Sequence, residues 1–234
     1  MILRLTRLVS TIFMLVLNTL ATTLPLNGLS TDLSDMLSTL ITPAGFTFAI
    51  WSVIYLGLIL TVAVLTKKVQ LPDRVMIRYI ISAFANGLRI VVRHYQNLHL
   101  SMIIILALLI CLIVIDRMLV ANKTSIDYFP RVRGTILLYF GWVQIATLLL
   151  ATIYAQYQLG ILTYEVPAGM AVIILACANL LIIYREKNII TSLVALRALY
   201  GIIQTDPQII LTAQIVMGLL VGIVWYGGKK VLDR

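Results

Sequence analysis

The sequence predicts an all-α fold, a polytopic integral membrane bundle of about eight transmembrane helices with both termini cytoplasmic (N-in/C-in). Three observations predict it. Of the 234 residues, 61% are hydrophobic and only 12% charged, with a mean hydropathy of +1.03; this is about half the charge that wets an ordinary soluble surface. All six prolines fall at the edges of apolar runs, where a residue without a backbone donor does least harm in lipid. Lys and Arg gather in alternate connections only, as they do in inner loops.

Pro25 closes a first apolar run that begins near Leu8. Pro43, with Thr42 as its expected N-cap, opens a second run reaching roughly Thr66. Pro72 lies in the next turn, and the third and fourth runs cover roughly 78–95 and 100–115. Pro130 precedes a fifth at about 134–155, and Pro167 opens a sixth that ends near Tyr184. The seventh and weakest covers about 189–204. Asp206-Pro207 then reads as the cap and first turn of an eighth that ends near Gly227-Gly228.

Charge tests this division independently. Arg4 and Arg7 precede span one; Lys67, Lys68, Arg74 and Arg78 lie between two and three; Arg117, Lys123, Arg131 and Arg133 lie between four and five. Arg185 and Lys187 separate six from seven, and Lys229, Lys230 and Arg234 follow eight. The opposite connections contain no Lys or Arg, so both termini are expected in the cytoplasm, and the +9 balance reads as topology plus attraction to anionic headgroups. A single membrane domain over 1–234 leaves no room for a soluble one, which disfavours nucleic-acid binding and any enzyme with a large aqueous cleft. A signal peptide at the start is disfavoured because Ala21-Thr22-Thr23 makes a poor cleavage site. Cys111 and Cys177 fall inside spans and give no disulfide signal.

Arg89, Arg93 and Arg197 break the pattern, because they lie within spans while all nine acids lie in loops or at span ends. A charge near the membrane centre costs from about 3 to more than 10 kcal/mol. Ser82, Asn86, Arg89 and Arg93 recur at helical spacing and share one face, which is expected to line the bundle interior. Arg93 is close enough to the outer end to snorkel. Arg89 and Arg197 need either backbone carbonyls and water, or a polar cavity that takes an anion. An offset of 108 aligns Leu88-Arg89 with Leu196-Arg197 and Gln96 with Gln204, a partial repeat that fails for the first two spans.

Trp51 with Tyr55 and Tyr139 with Trp142 are spaced to share helical faces; they serve either core packing or an aromatic wall for a flat ligand. Trp225 suits interfacial anchoring. His94 and His99 flank one short turn without a zinc spacing, and no nucleophile elbow, phosphate loop or paired intramembrane carboxylates occur. No catalytic or metal-binding residues are expected. Gly218-x-x-x-Gly222 permits close helix approach.

Three segments resemble the tryptophan-rich sensory (TspO/MBR, translocator-protein-like) family, most closely its larger bacterial members with extra spans. Thr42-Pro43-Ala44-Gly45-Phe46-Thr47-Phe48-Ala49-Ile50-Trp51, continuing to Tyr55-Leu56, is similar to its Pro-x-x-Phe…Trp…Tyr signature; Asn86-x-x-Arg89 is similar to Asn-x-x-Trp, and Tyr139-Phe140-Gly141-Trp142 with Ala146 to Tyr-x-x-Trp…Ala. The resemblance covers about 42–184 as a five-helix core, with 1–41 and 185–234 as additional helices. It implies a pocket for porphyrins (a haem-like ligand), sterols or synthetic aromatics, formed at Pro43, Phe46, Trp51, Tyr55, Asn86, Tyr139 and Trp142. The pattern leads one to expect Trp at 89, 93 and 197. One Arg and one Trp codon differ by a single base, so an altered genetic code, or a translation or sequencing error, is one reading of the three Arg; genuine Arg would turn the site toward carboxylate- or phosphate-bearing amphiphiles.

The expected function is binding of a hydrophobic, aromatic, tetrapyrrole-like or anionic amphiphilic small molecule for sensing or transport. Trp51, Tyr55, Tyr139 and Trp142 would form the walls, Asn86 a polar handle, and Arg89 and Arg197 the anion contacts. The alternatives are a secondary transporter of an organic anion and a non-catalytic scaffold subunit of a membrane complex. Expected partners are the bilayer, presumed for this reading to be the bacterial cytoplasmic (inner) membrane, and copies of the chain or other subunits.

Overall fold

A computed structural model describes residues 2–23, 39–67, 72–121, 129–161, 165–186, 189–205 and 213–222. Among them every regular element is helical. The α-helices are α1 (Ile2–Thr23), α2 (Ile50–Lys67), α3 (Asp73–His94), α4 (Leu98–Ala121), α5 (Phe129–Tyr157), α6 (Glu165–Glu186), α7 (Ile190–Ile203) and α8 (Ala213–Gly222), with a short 3-10 turn at Gly45–Ala49. Four stretches, Gly45–Val62, Asp73–His94, Leu98–Ala121 and Val132–Tyr157, are long and apolar enough to cross a bilayer, and four shorter helical stretches are also apolar. Large side chains such as Leu56, Leu60, Ile103 and Ile110 point outward and are more than half exposed. Such a surface suits lipid and not water. The chain is a helical membrane bundle.

The described helices divide into two compact units, Met1–Met36 with Trp51–Val143, and Leu37–Ile50 with Gln144–Arg234. In the first, α1 packs along α3: the Arg7 guanidinium donates to the Met76 sulfur at 3.6 Å, the Thr11 and Tyr79 hydroxyls share a 2.9 Å hydrogen bond, and Phe13 meets Phe84 with ring centroids 5.0 Å apart. Both partners in these pairs advance together along the chain, so α1 and α3 run parallel. That requires one crossing between them. α3 and α4 form an antiparallel hairpin in which the Asn97 side-chain carbonyl accepts from the Leu100 amide at 2.9 Å and caps α4. α2 runs antiparallel to α5, with Gly57 against Thr135 and Trp51 beside Trp142. The alternation of five helices follows. It gathers Arg7, Arg74, Arg78, Arg117 and Arg133 at one end of this unit, with the 94–98 turn at the other.

Several boundaries differ from the sequence reading, three of them beside a charged residue. α3 starts at Asp73, directly after Pro72, and not near Arg78. α4 continues beyond Ile115 to Ala121 because Asp116 is neutralised inside the bundle: Arg133 Nε and Nη2 donate to its two oxygens at 2.7 and 3.2 Å. Thr42 does not cap α2. Its hydroxyl accepts from the Thr39 amide at 2.8 Å, the chain passes through the 3-10 turn, and α2 begins at Ile50. The first span starts at Ile2, earlier than the run read from Leu8. Pro25, the Asp206-Pro207 cap, Trp225 and Gly227-Gly228 lie outside the described residues.

In the second unit α7 lies against the turn that carries Pro43 to Ala49. The Ala44 amide donates to the Gly201 carbonyl at 3.2 Å and the Thr205 hydroxyl to the Thr42 carbonyl at 2.9 Å. A Cβ on Gly201 would collide with the Thr47 methyl and come within 3.2 Å of Pro43 Cβ. Gly201→Ala is therefore expected to destabilise the protein by about 1–3 kcal/mol, the usual cost of overpacking, as a lower thermal midpoint in detergent; an unchanged midpoint would mean the turn and α7 do not touch there.

Candidate functional site: an arginine among aromatic rings

Trp51 and Tyr55, one turn apart at the start of α2, stack with ring centroids 5.2 Å apart and an interplanar angle of 24°. Because α5 runs antiparallel to α2, its Tyr139 and Trp142 meet the same indole edge-on, at 6.0 and 6.3 Å. Offset and edge-to-face contacts at such distances are favoured by ring quadrupoles and add about 0.5–1.5 kcal/mol each. Tyr139 and Trp142 are fully buried; Trp51 and Tyr55 are half-buried.

α3 brings its polar face to these rings. Ser82, Asn86 and Arg89 are buried, and Arg93, one turn on, is half-buried. The Ser82 hydroxyl is satisfied by the Tyr79 carbonyl at 2.7 Å. The groups beyond it are not so served. Arg89 interacts electrostatically with Tyr139 and Tyr55, and Asn86 adjoins Tyr139. The two approach without closing a hydrogen bond, and both amide atoms of Asn86 and the Tyr139 hydroxyl are buried without a hydrogen-bond partner. No carboxylate pairs with Arg89 among the described residues. An unmet buried polar group costs about 1–3 kcal/mol, more when charged; of these three atoms Asn86 Nδ2 and the Tyr139 hydroxyl can donate, as the guanidinium does, while Asn86 Oδ1 only accepts.

The remaining candidates lie in the second unit. Arg197 sits 5.8 Å above the Phe46 ring, and its Nη2 donates to the Phe46 carbonyl at 3.0 Å. Tyr200 meets the same ring edge-on at 5.9 Å, and Pro43 abuts Gly201. Trp51, Tyr55, Asn86, Arg89, Tyr139 and Trp142 thus come together in the first unit, while Pro43, Phe46 and Arg197 gather around α7 in the second. Arg197 already has a carbonyl and a ring.

Other buried polar features were not singled out from the sequence. A cavity of about 20 Å3, lined by Arg7, Thr61, Met76, Tyr79, Ile136 and neighbours, lies toward the basic end of the first unit and has room for about one water. The Asp116–Arg133 pair closes the same end. The sequence signal for that pair is weak: its members carry opposite charges on either side of one connection, which permits a contact without requiring it. His94 Nδ1 pairs with the Ile90 carbonyl at 2.9 Å, and no cluster of three His, Cys, Asp or Glu occurs among the described residues. Cys111 and Cys177 are free thiols.

A family model described as TSPO-like protein matches residues 4–226. The chain belongs to the TSPO-like family. The match is wider than the 42–184 stretch that carries the three motifs, and takes in α1, α7 and α8 as well. No curated protein and no solved structure matches the chain. Membership in the TSPO-like family together with the apolar helices makes this an integral membrane protein, and the family suggests ligand binding or sensing; its members are generally not enzymes.

Proposed function

We propose that this TSPO-like protein binds a hydrophobic, flat small molecule from within the bilayer, for sensing or passage, using Trp51, Tyr55, Tyr139 and Trp142 as walls and Asn86 as the polar handle. The observation that supports this best is the meeting of four rings from two helices with buried, unpartnered polar atoms from two. A merely structural core satisfies its polar groups. The chain has three Trp, two of them in this cluster, so their emission is a local reporter. In a Trp225→Phe background, titration with protoporphyrin IX is expected to quench it saturably, and Trp51→Ala to weaken binding by up to about tenfold, the loss of one good stacking contact. Linear, non-saturating quenching that Trp51→Ala leaves unchanged would refute the reading.

Passage of an organic anion is the second reading, favoured by Arg89. Its mark would be saturable uptake into vesicles, lost in Arg89→Leu. The basic end of the first unit fits the cytoplasmic face of a bacterial inner membrane, with both termini inside. Assembly with copies of itself or with other subunits is compatible with either reading.

A further inference from the structure

We infer that the molecule taken by this site is an anionic amphiphile, and that Arg89 receives its headgroup just below the membrane surface opposite the basic end. The inference rests on the aromatic cluster being a ligand site, and adds the charge and the depth of what binds there. Arg89 is 8% exposed, has no carboxylate among the described residues, and stands beside Asn86 and the Tyr139 hydroxyl, whose buried polar atoms have no partner. Arg contributes donors only, in a planar fork, and the Asn86 amide nitrogen and the Tyr139 hydroxyl can add more; Asn86 Oδ1 is the one acceptor among them. A carboxylate or phosphate contributes acceptors only. The fit is one of chemistry as well as charge, since a neutral hydroxyl would leave the guanidinium uncompensated in a setting where that is severely unfavourable.

Depth agrees. Arg89 lies five residues before the end of α3 at His94, about 8 Å at 1.5 Å per residue, so a headgroup entering from that end has a short way to reach it. Arg93, one turn nearer that end and half-buried, places a second cation where such a headgroup would enter. The half-buried rings of Trp51 and Tyr55 offer the apolar body a surface. This lifts an arginine that the family pattern does not contain from an anomaly to the specificity element of the site.

An anionic headgroup on an apolar body has two sources, a resident phospholipid or a free acid, and three matched pairs distinguish them. Purified protein in neutral detergent is given oleate or oleyl alcohol, protoporphyrin IX or its dimethyl ester, and phosphatidylglycerol or phosphatidylcholine, and thermal stabilisation is titrated. In at least one pair the charged member is expected to bind ten- to a hundredfold tighter, the worth of a charge-assisted hydrogen bond. Arg89→Met should abolish that preference, and Arg89→Lys, which keeps the charge and loses the fork, should retain part of it. The pair that responds names the source. Equal binding within all three pairs, or a preference that survives unchanged in Arg89→Met and Arg89→Lys, overturns the inference. Saturable quenching by the neutral ester with no charge preference would do so while leaving the aromatic site standing; a charge preference only for the aliphatic or lipid pair, with no porphyrin bound, would keep the anion site and discard the aromatic reading.

Discussion

Asp116→Asn is expected to lower the stability of the ligand-free protein by about 3 kcal/mol, the low end for removing one partner of a buried pair. The Asp116 carboxylate is buried and accepts both bonds of the Arg133 fork, which ties the end of α4 to the start of α5. Without it the guanidinium loses both bonds of this pair. The double replacement Asp116→Leu with Arg133→Met should recover most of the loss, because an apolar pair of similar volume avoids the desolvation altogether. Denaturation in graded SDS checks both; a single variant within about 0.5 kcal/mol of the parent, the range of an unremarkable surface change, would mean the pair is not formed.

Arg89→Met is expected to act in the opposite direction, stabilising the ligand-free protein by about 2 kcal/mol. That is somewhat under the roughly 3 kcal/mol for an arginine at the middle of a span, since Arg89 is within two turns of the end of α3. Met follows the path of the Arg stem without its charge. Most replacements of buried residues destabilise, so the sign alone is informative. Arg197→Met supplies the contrast: it gives up a carbonyl bond and a ring contact, and should cost about 1 kcal/mol. The same SDS series reads both. Loss of stability in Arg89→Met would show that its guanidinium is already satisfied. Peptide mass spectrometry at positions 89, 93 and 197 belongs with these measurements, because Trp in place of Arg would remove the charge whose cost they gauge.

The helices were legible because membrane sequences carry two independent signals. Prolines bounded the apolar runs, and the one-sided placement of Lys and Arg fixed their parity, which the parallel packing of Arg7, Thr11 and Phe13 against Met76, Tyr79 and Phe84 matches within the first unit. Ends were less legible, since a charge in a sequence does not reveal whether it meets water or a partner; Asp116 read as the end of α4 for that reason. The 3-10 turn at Gly45–Ala49 was hidden because Thr42-Pro43 is also a good helix start, and only contact with Gly201 distinguishes the two. Within the candidate site, helical spacing announced that Trp51 pairs with Tyr55 and that Asn86 and Arg89 share a face. That Tyr139 and Trp142 would meet Trp51 depended on which helices pack together, which no local pattern encodes. Arg197 was grouped with Arg89 by residue type and position in a span, yet a carbonyl one helix away separates their roles.

The most direct test of convergence is a proton NOE experiment on protein with protonated Trp and Tyr rings in a deuterated background, recorded with and without protoporphyrin IX. Ring centroids 5–6 Å apart predict cross-peaks from Trp51 to Tyr55 and Tyr139 in the free protein, and new ones from the ligand to the same rings in the complex. Absence of the Trp51–Tyr139 cross-peak, or ligand contacts confined to other rings, would contradict the site described above.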